Sequence, residues 1–288
     1  MKDIAIYLSL EVDQERYTEW AEKIAIAYTK KFFNSKTASF GSQTADAMSL
    51  AFGLTPDRTG TAKALAEDIH KRNITWTVGI FGVRYIGEAL ADNGYGDLAL
   101  KLFQQDAHPS LGHIIKKGAT TLWEYWGDSE VDRNAGPRSL NHPMFGGFDT
   151  WFYQGLGGIQ ADKQFPGFKK FYLKPQILPG LEEVKMIYNS EYGKILSHWQ
   201  QKSQILYYHC QIPVNTEAVL SLPWQQGQVL MENDRIIDEI NDIQYQKRNG
   251  TIELTLKSGQ YSFNIAVDED SKKCNKQNPK GEIINAEA

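Results

Sequence analysis

From Tyr17 onward the chain places Trp20, Ala21, Ile24 and Tyr28 at three- and four-residue spacing, which puts one apolar stripe on a long helix ending near Phe33. Similar stripes recur. Ala47, Met48, Leu50 and Ala51 make a short one; Ala62, Leu65, Ala66 and Ile69 make another, with Asp57 or Thr59 available as an N-cap after Pro56. Val83, Ile86, Gly87 and Leu90 give a fourth helix, stopped at Asn93-Gly94, and Leu98, Ala99, Leu102 and Phe103 give a fifth before Pro109. Phe145, Phe148, Phe152 and Leu156 give a sixth, ended by Gly157-Gly158. The pattern thus predicts an all-α segment of about six helices.

After Gly158 the periodicity falls from helical to alternating. Phe168 to Leu173, Lys194 to Trp199, Ile205 to Ile212, Ala218 to Leu222, Ile252 to Leu256 and Tyr261 to Val267 read as strands, separated by Pro-Gly, Tyr-Gly, Asn-Gly and Ser-Gly turns. Short strands at this spacing predict an antiparallel β-sandwich. The expected organisation is therefore α+β and multidomain: a helical domain over 1–160, a sandwich over 161–268, and a loose polar tail over 269–288.

Composition narrows the function more than the fold. With 288 residues, 41% of them hydrophobic, the chain has enough apolar content for real cores. A formal net charge of -4, with Lys and Arg scattered singly or in pairs such as Lys116-Lys117, leaves no basic excess for phosphates, so a nucleic-acid partner is not expected. Cys210 and Cys274 lie in no CxxC pattern and build neither a disulfide framework nor a zinc site; they read as a small strand hydrophobe and a tail thiol. The first residues lack a basic n-region and a cleavage site, and no apolar run approaches the roughly 18 residues of a membrane span. Nothing in the chain as given exports or anchors it, so no membrane partner is expected and the cytoplasm is the default compartment.

The densest chemistry lies in Gly118-Ala119-Thr120-Thr121-Leu122-Trp123-Glu124-Tyr125-Trp126, followed by Ser139-Leu140-Asn141-His142-Pro143. Glu124 stands between Trp123 and Trp126, whose rings partly desolvate a carboxylate and offer flat apolar faces on which a sugar ring can lie. Glycosidases need two carboxyls, and in the inverting class a base activates water across a gap of roughly 6.5 to 9.5 Å from the acid. The bland alternative is a core-facing segment with a solvated glutamate. His142 offers a donor and an acceptor to a sugar hydroxyl, against the commoner role of a structural histidine; Asn141 reads as a turn or cap residue. Asp128, Glu130 and Asp132 form an acidic loop that contains a candidate second carboxylate or is simply solvated surface. The run Thr77-Val78-Gly79-Ile80-Phe81-Gly82 lacks the spacing and lysine of a P-loop and reads as a tight turn, beside which Trp76 and Phe81 are placed to line a sugar cleft.

These two motifs resemble the catalytic domain of bacterial α-L-rhamnosidases of glycoside hydrolase family seventy-eight. The likeness continues in order through Gln43-Thr44-Ala45, Leu50-Ala51-Phe52-Gly53-Leu54, Leu90-Ala91-Asp92-Asn93-Gly94, Pro109-Ser110 with Gly112, Pro166-Gly167-Phe168-Lys169, Lys174-Pro175, Tyr192-Gly193 with Trp199, Ile212-Pro213 and Leu222-Pro223. Leu111 and Pro143 depart from it, standing where aromatic residues are common. The resemblance implies half of an (α/α)₆ barrel followed by an antiparallel β-sandwich, with Glu124 as general base and His142, Trp126, Trp123 and Trp76 at the sugar. It further implies inverting hydrolysis of terminal α-L-rhamnosides, a rhamnose-containing glycoside or oligosaccharide as partner, and no cofactor. The family's general acid has no counterpart among these residues. The chain is therefore expected to be a partial enzyme that self-associates through unpaired barrel faces; the rival readings are a non-catalytic carbohydrate-binding remnant and a different (α/α) barrel glycosidase or lyase.

Overall fold

The computed structural model describes residues 1–126, 139–248 and 250–267. Asp128, Glu130, Asp132, Cys274 and the expected tail lie outside the described residues. The chain divides into two compact units, Met1–Gly155 and Leu156–Ala288.

The first unit holds α1 (Lys2–Tyr7), α2 (Glu11–Phe32), α3 (Gln43–Ala51), α4 (Arg58–Lys71), α5 (Val83–Ala91), α6 (Gly96–Phe103) and α7 (Leu111–Lys116). Five of the apolar stripes coincide with α2 to α6. The starts of α3 and α4 follow from capping: the Ser42 side chain accepts from the Ala45 amide at 3.2 Å, and Asp57 accepts from the Gly60 amide at 2.8 Å. Six residues each, α1 and α7 are too short to display a period, so the pattern did not predict them. The sixth stripe is a correction. Residues 143 to 156 form a 3₁₀ turn, Pro143–Phe148, and a π-helix, Trp151–Leu156, instead of one α-helix. Pro143 supplies no N–H and Gly146-Gly147 is a poor helix pair, so the regular ladder does not propagate through it.

The helical core is made by the inward faces of α3 to α6, where Ala47, Leu50, Leu65, Ile69, Ile86, Leu90 and Leu102 are fully buried. Gly87 on α5 is required there, because a Cβ would sit 2.6 Å from the indole of Trp151. The long helix α2 behaves differently. Its last turns are held by Tyr28, whose ring stacks on Phe40 at 5.1 Å, and by Thr29, whose hydroxyl donates to the Leu54 carbonyl at 2.8 Å. None of its residues is buried, and Trp20, Ile24 and Ile26 are 53%, 66% and 68% exposed. Apart from Tyr28, the stripe that predicts the helix thus faces solvent among the described residues. No helix among them is long and apolar enough to cross a membrane.

The second unit is a sheet of β1 (Ile159–Ala161), β2 (Lys170–Leu173), β3 (Glu183–Ser190), β4 (Gly193–Lys202), β5 (Ile205–Pro223), β6 (Gln228–Glu232), β7 (Arg235–Ile236), β8 (Gln244–Arg248) and β9 (Thr251–Val267). The order is β1-β2-β5-β9-β6-β7, with the β3-β4 hairpin joined to β5 and β8 to β9. Two expectations need correction. The sheet is mixed, because β2 runs parallel to β5; a crossover through the intervening β3-β4 hairpin permits this where a tight turn would not. The segments expected as four strands merge into two long ones, β5 and β9, and Ser258-Gly259 is no turn but lies inside β9. Opposite Gly259, whose φ is +155°, the pairing steps from Ile212 directly to Glu217, so β5 pushes out the residues between.

Alternation along β4 turns Ile195, Ser197 and Trp199 inward. The polar atoms this buries are satisfied: Ser197 donates to the Gly157 carbonyl at 2.5 Å and meets the Tyr208 hydroxyl at 2.9 Å, while the Trp199 indole donates to the Leu156 carbonyl at 2.9 Å. Burial pushes the Tyr208 hydroxyl and the Cys210 thiol well above their ordinary pKa values, so both stay neutral and pack as core groups. Gly158 holds a φ of +70° with its hypothetical Cβ 2.2 Å from the Lys174 carbonyl carbon. Gly158→Ala is therefore expected to destabilise this unit by more than about 1 kcal/mol, read by denaturant unfolding followed through Trp199 fluorescence; an unchanged midpoint would count against the close approach.

Candidate active site

The site grows from a pinned loop and two hydrogen-bonded loop segments, all within the helical unit. Gln43, the first residue of α3, is 1% exposed and reaches the segment ahead of α5: its Oε1 accepts from the Thr77 amide at 2.7 Å and its Nε2 donates to the Thr75 carbonyl at 3.1 Å. The same Nε2 donates to Asp68 on α4 at 3.0 Å. This fixes Trp76 and Val78, which lie in a stretch with no helix or strand of its own to hold it.

Beyond α7 the chain turns at Gly118, with φ +83°, and continues as a bent loop through the Thr-rich stretch. It is paired with the second motif. The Glu124 amide donates to the Ser139 carbonyl at 2.9 Å, the His142 amide donates to the Leu122 carbonyl at 2.8 Å, and the Thr121 hydroxyl donates to the Leu140 carbonyl at 2.5 Å. The Ser139 amide in turn donates to Oε2 of Glu124 at 2.9 Å, so one carboxylate oxygen is held by the backbone of the partner segment. The Nδ1 of His142 accepts from the Met144 amide at 3.4 Å as the cap of the 3₁₀ turn.

Behind these groups is a layer of rings. The Trp126 indole donates to the Val78 carbonyl at 2.5 Å, stacks on Trp76 with centroids 5.1 Å apart and planes 22° apart, and packs against Phe145 at 4.1 Å. Trp76 is 1% exposed and meets Phe103 edge-on at 5.0 Å. The expectation that Trp76 lines a cleft is thus corrected: its ring is spent on Trp126 and Phe103. Trp123, Glu124, Trp126 and His142 are all partly exposed, and Phe81 stands out at 64%. Of the other carboxyls in this unit, Glu88 on α5 is paired with Arg84 at 3.1 Å, and Asp149 closes the 3₁₀ turn; burial raises both above the usual carboxylate range. Among the described residues no cluster of three or more His, Cys, Asp or Glu could hold a metal.

Residues 1–156, more than half of the chain, match the family model for the bacterial alpha-L-rhamnosidase 6 hairpin glycosidase domain. The chain belongs to this bacterial α-L-rhamnosidase family. Residues 158–236 match the model of the bacterial alpha-L-rhamnosidase C-terminal domain. An alpha-L-rhamnosidase of Formosa agariphila is 31% identical over 256 residues, covering 84% of this chain and 26% of the relative. The solved structure of an alpha-L-rhamnosidase from Dictyoglumus thermophilum is similar with a TM-score of 0.81 at 33% identity, covering 92% of this chain and 30% of that one. A Streptomyces avermitilis alpha-L-rhamnosidase solved in complex with L-rhamnose shares the fold, with a TM-score of 0.78 at 24% identity over 92% of this chain and 26% of that one. The chain spans about a quarter of the length of the curated relatives it matches.

In this rhamnosidase-family chain the two sequence motifs come together, with Glu124 and His142 on paired segments and Trp126 beside them. What the sequence reading missed as individuals are Gln43 and Phe145. Each carries a signal: a lone amide at the start of an apolar stripe invites a buried hydrogen-bonding role, and Phe145 opens an apolar stripe.

Proposed function

We propose that the chain supplies the base-bearing part of an inverting α-L-rhamnosidase acting on terminal α-L-rhamnosides, with Glu124 as general base. The observation that supports this reading is the backbone pairing of Thr121–Glu124 with Ser139–His142, which brings together the segments that bear Glu124 and His142. In such a site Trp123 and the exposed part of Trp126, whose ring also stacks on Trp76 and packs against Phe145, offer apolar surface to the sugar, and His142 donates to a hydroxyl. Glu124 takes a proton from water as the glycosidic bond breaks, while an acid elsewhere protonates the departing oxygen. Trp76 acts from behind, through Trp126. The finer architecture is part of the same proposal: residues 1–160 form half of an (α/α)₆ barrel, and residues 161–268 form a sandwich. Family membership and the similar rhamnosidases support this reading.

Titration of the chain with L-rhamnose tests it. His142→Ala and Trp126→Ala are each expected to weaken affinity by about five- to thirtyfold, the consequence of losing about 1–2 kcal/mol of hydrogen bonding or stacking. Rhamnose affinity unchanged in both variants would return these residues to a structural role.

A further inference from the structure

We infer that Gln43 and Trp76 are positioning residues that make the segment Thr75–Val78 a seat for Trp126, and so set the angle of that ring beside Glu124. The inference rests on the sugar-site reading of Glu124 and Trp126. Its geometry is independent of that reading. A planar ring is fixed by one contact that sets its tilt and another that stops its rotation in plane. Trp126 receives both from this segment: the stack on Trp76 at 5.1 Å sets the tilt, and the bond from its N–H to the Val78 carbonyl stops the rotation.

The segment has no ladder of its own, so something must hold it. Gln43 does so with three bonds that use both Nε2 hydrogens and Oε1, tying Thr75 and Thr77 to α3 and to Asp68. Asp68 is itself held by Arg72 at 3.0 Å, so the anchor runs into α4. An apolar side chain of the same length would leave the Thr77 N–H and the Thr75 carbonyl without their partner, and the seat would be free to shift. Trp76 contributes its face. Its own buried Nε1 meets no hydrogen-bond acceptor among the described residues, so the contact that matters is the ring and not the N–H. A phenyl ring should serve in its place; an aliphatic side chain should not.

The test uses the 288-residue chain with Trp76→Phe, Trp76→Leu and Gln43→Met, and Trp126→Phe to assign the signal. Two readouts are taken: L-rhamnose titration by calorimetry, and the exciton couplet of the stacked indoles in far-ultraviolet circular dichroism. Trp76→Leu is expected to weaken rhamnose about two- to tenfold, the worth of one aromatic stack, while Trp76→Phe stays within about twofold of the parent. In Gln43→Met, Trp76 and Trp126 are both present, yet the couplet should shrink and rhamnose binding weaken with it. Parent-like binding in Trp76→Leu, or a full couplet in a folded Gln43→Met, would overturn the seat. Should Trp76→Leu fail to fold, the Gln43→Met couplet decides. Should the parent chain bind no rhamnose, the sugar-site reading falls, and that same couplet still decides whether the seat exists.

Discussion

Glu124→Gln is expected to lower the turnover of an aryl α-L-rhamnoside by about 10²- to 10⁴-fold, the usual loss when general-base help is removed. The measurement belongs in a chimera in which residues 1–288 replace the matching stretch of a full-length α-L-rhamnosidase. The contact with Ser139 makes this substitution more informative than an ordinary isostere. Its N–H donates to one carboxylate oxygen at 2.9 Å. In the amide variant the same N–H selects the carbonyl oxygen, so the NH₂ group occupies the position of the free oxygen. A donor then faces the water that the acceptor should have deprotonated. Substrate affinity should change little, placing the loss in kcat and not in KM. Parent-like turnover would remove Glu124 from the mechanism.

The second large effect concerns the 288-residue chain by itself, which is expected to hydrolyse rhamnosides far below the about 1 to 10³ per second typical of enzymes. Inverting hydrolysis needs an acid as well as a base, and the two paired motifs supply only the proposed base, Glu124. The exposed flank of α2 points the same way. With Trp20, Ile24 and Ile26 more than half exposed, and Ile4, Tyr7, Leu8 and Leu10 open as well, the chain presents apolar surface of the kind that drives association. Self-association in analytical ultracentrifugation, with binding of a hydrophobic dye, is the expected result. A monomer with ordinary turnover would reverse both expectations and direct attention to Asp128, Glu130 and Asp132 for the acid.

Helices α2 to α6 were legible because each buries or exposes a coherent stripe, and the period survives wherever the stripe ends up. Strands such as β8, Gln-Tyr-Gln-Lys-Arg, were not legible, because an almost wholly polar run has no alternation to read. The parallel pairing of β2 with β5 is decided by contacts far apart in sequence and leaves no local trace. At the site, the residue types of Glu124, His142 and Trp126 were informative by composition. The roles of Gln43 and Trp76 were not, since they depend on which segment lies opposite each side chain. A tryptophan buried behind a site and one lining it look alike in sequence; only the ring of Trp126 over Trp76 separates them.

The long partnership of β5 with β9 bears on how the sheet comes into being. β5 carries β2, β4 and β9, yet its pairing with β9 joins Pro223 to Thr251 at the near end and Leu206 to Ile265 at the far end, a separation of 59 residues (265 − 206). At the about 5–20 residues per second of ribosomal synthesis, the far end of β5 waits roughly 3 to 12 seconds for its mate to be made. Until then a strand rich in Leu, Ile, Val and Tyr has only β2 and β4 to shield it. The nascent sheet is therefore the stage at which a chaperone would find this chain, and slowing translation between Pro223 and Thr251 would lengthen that window.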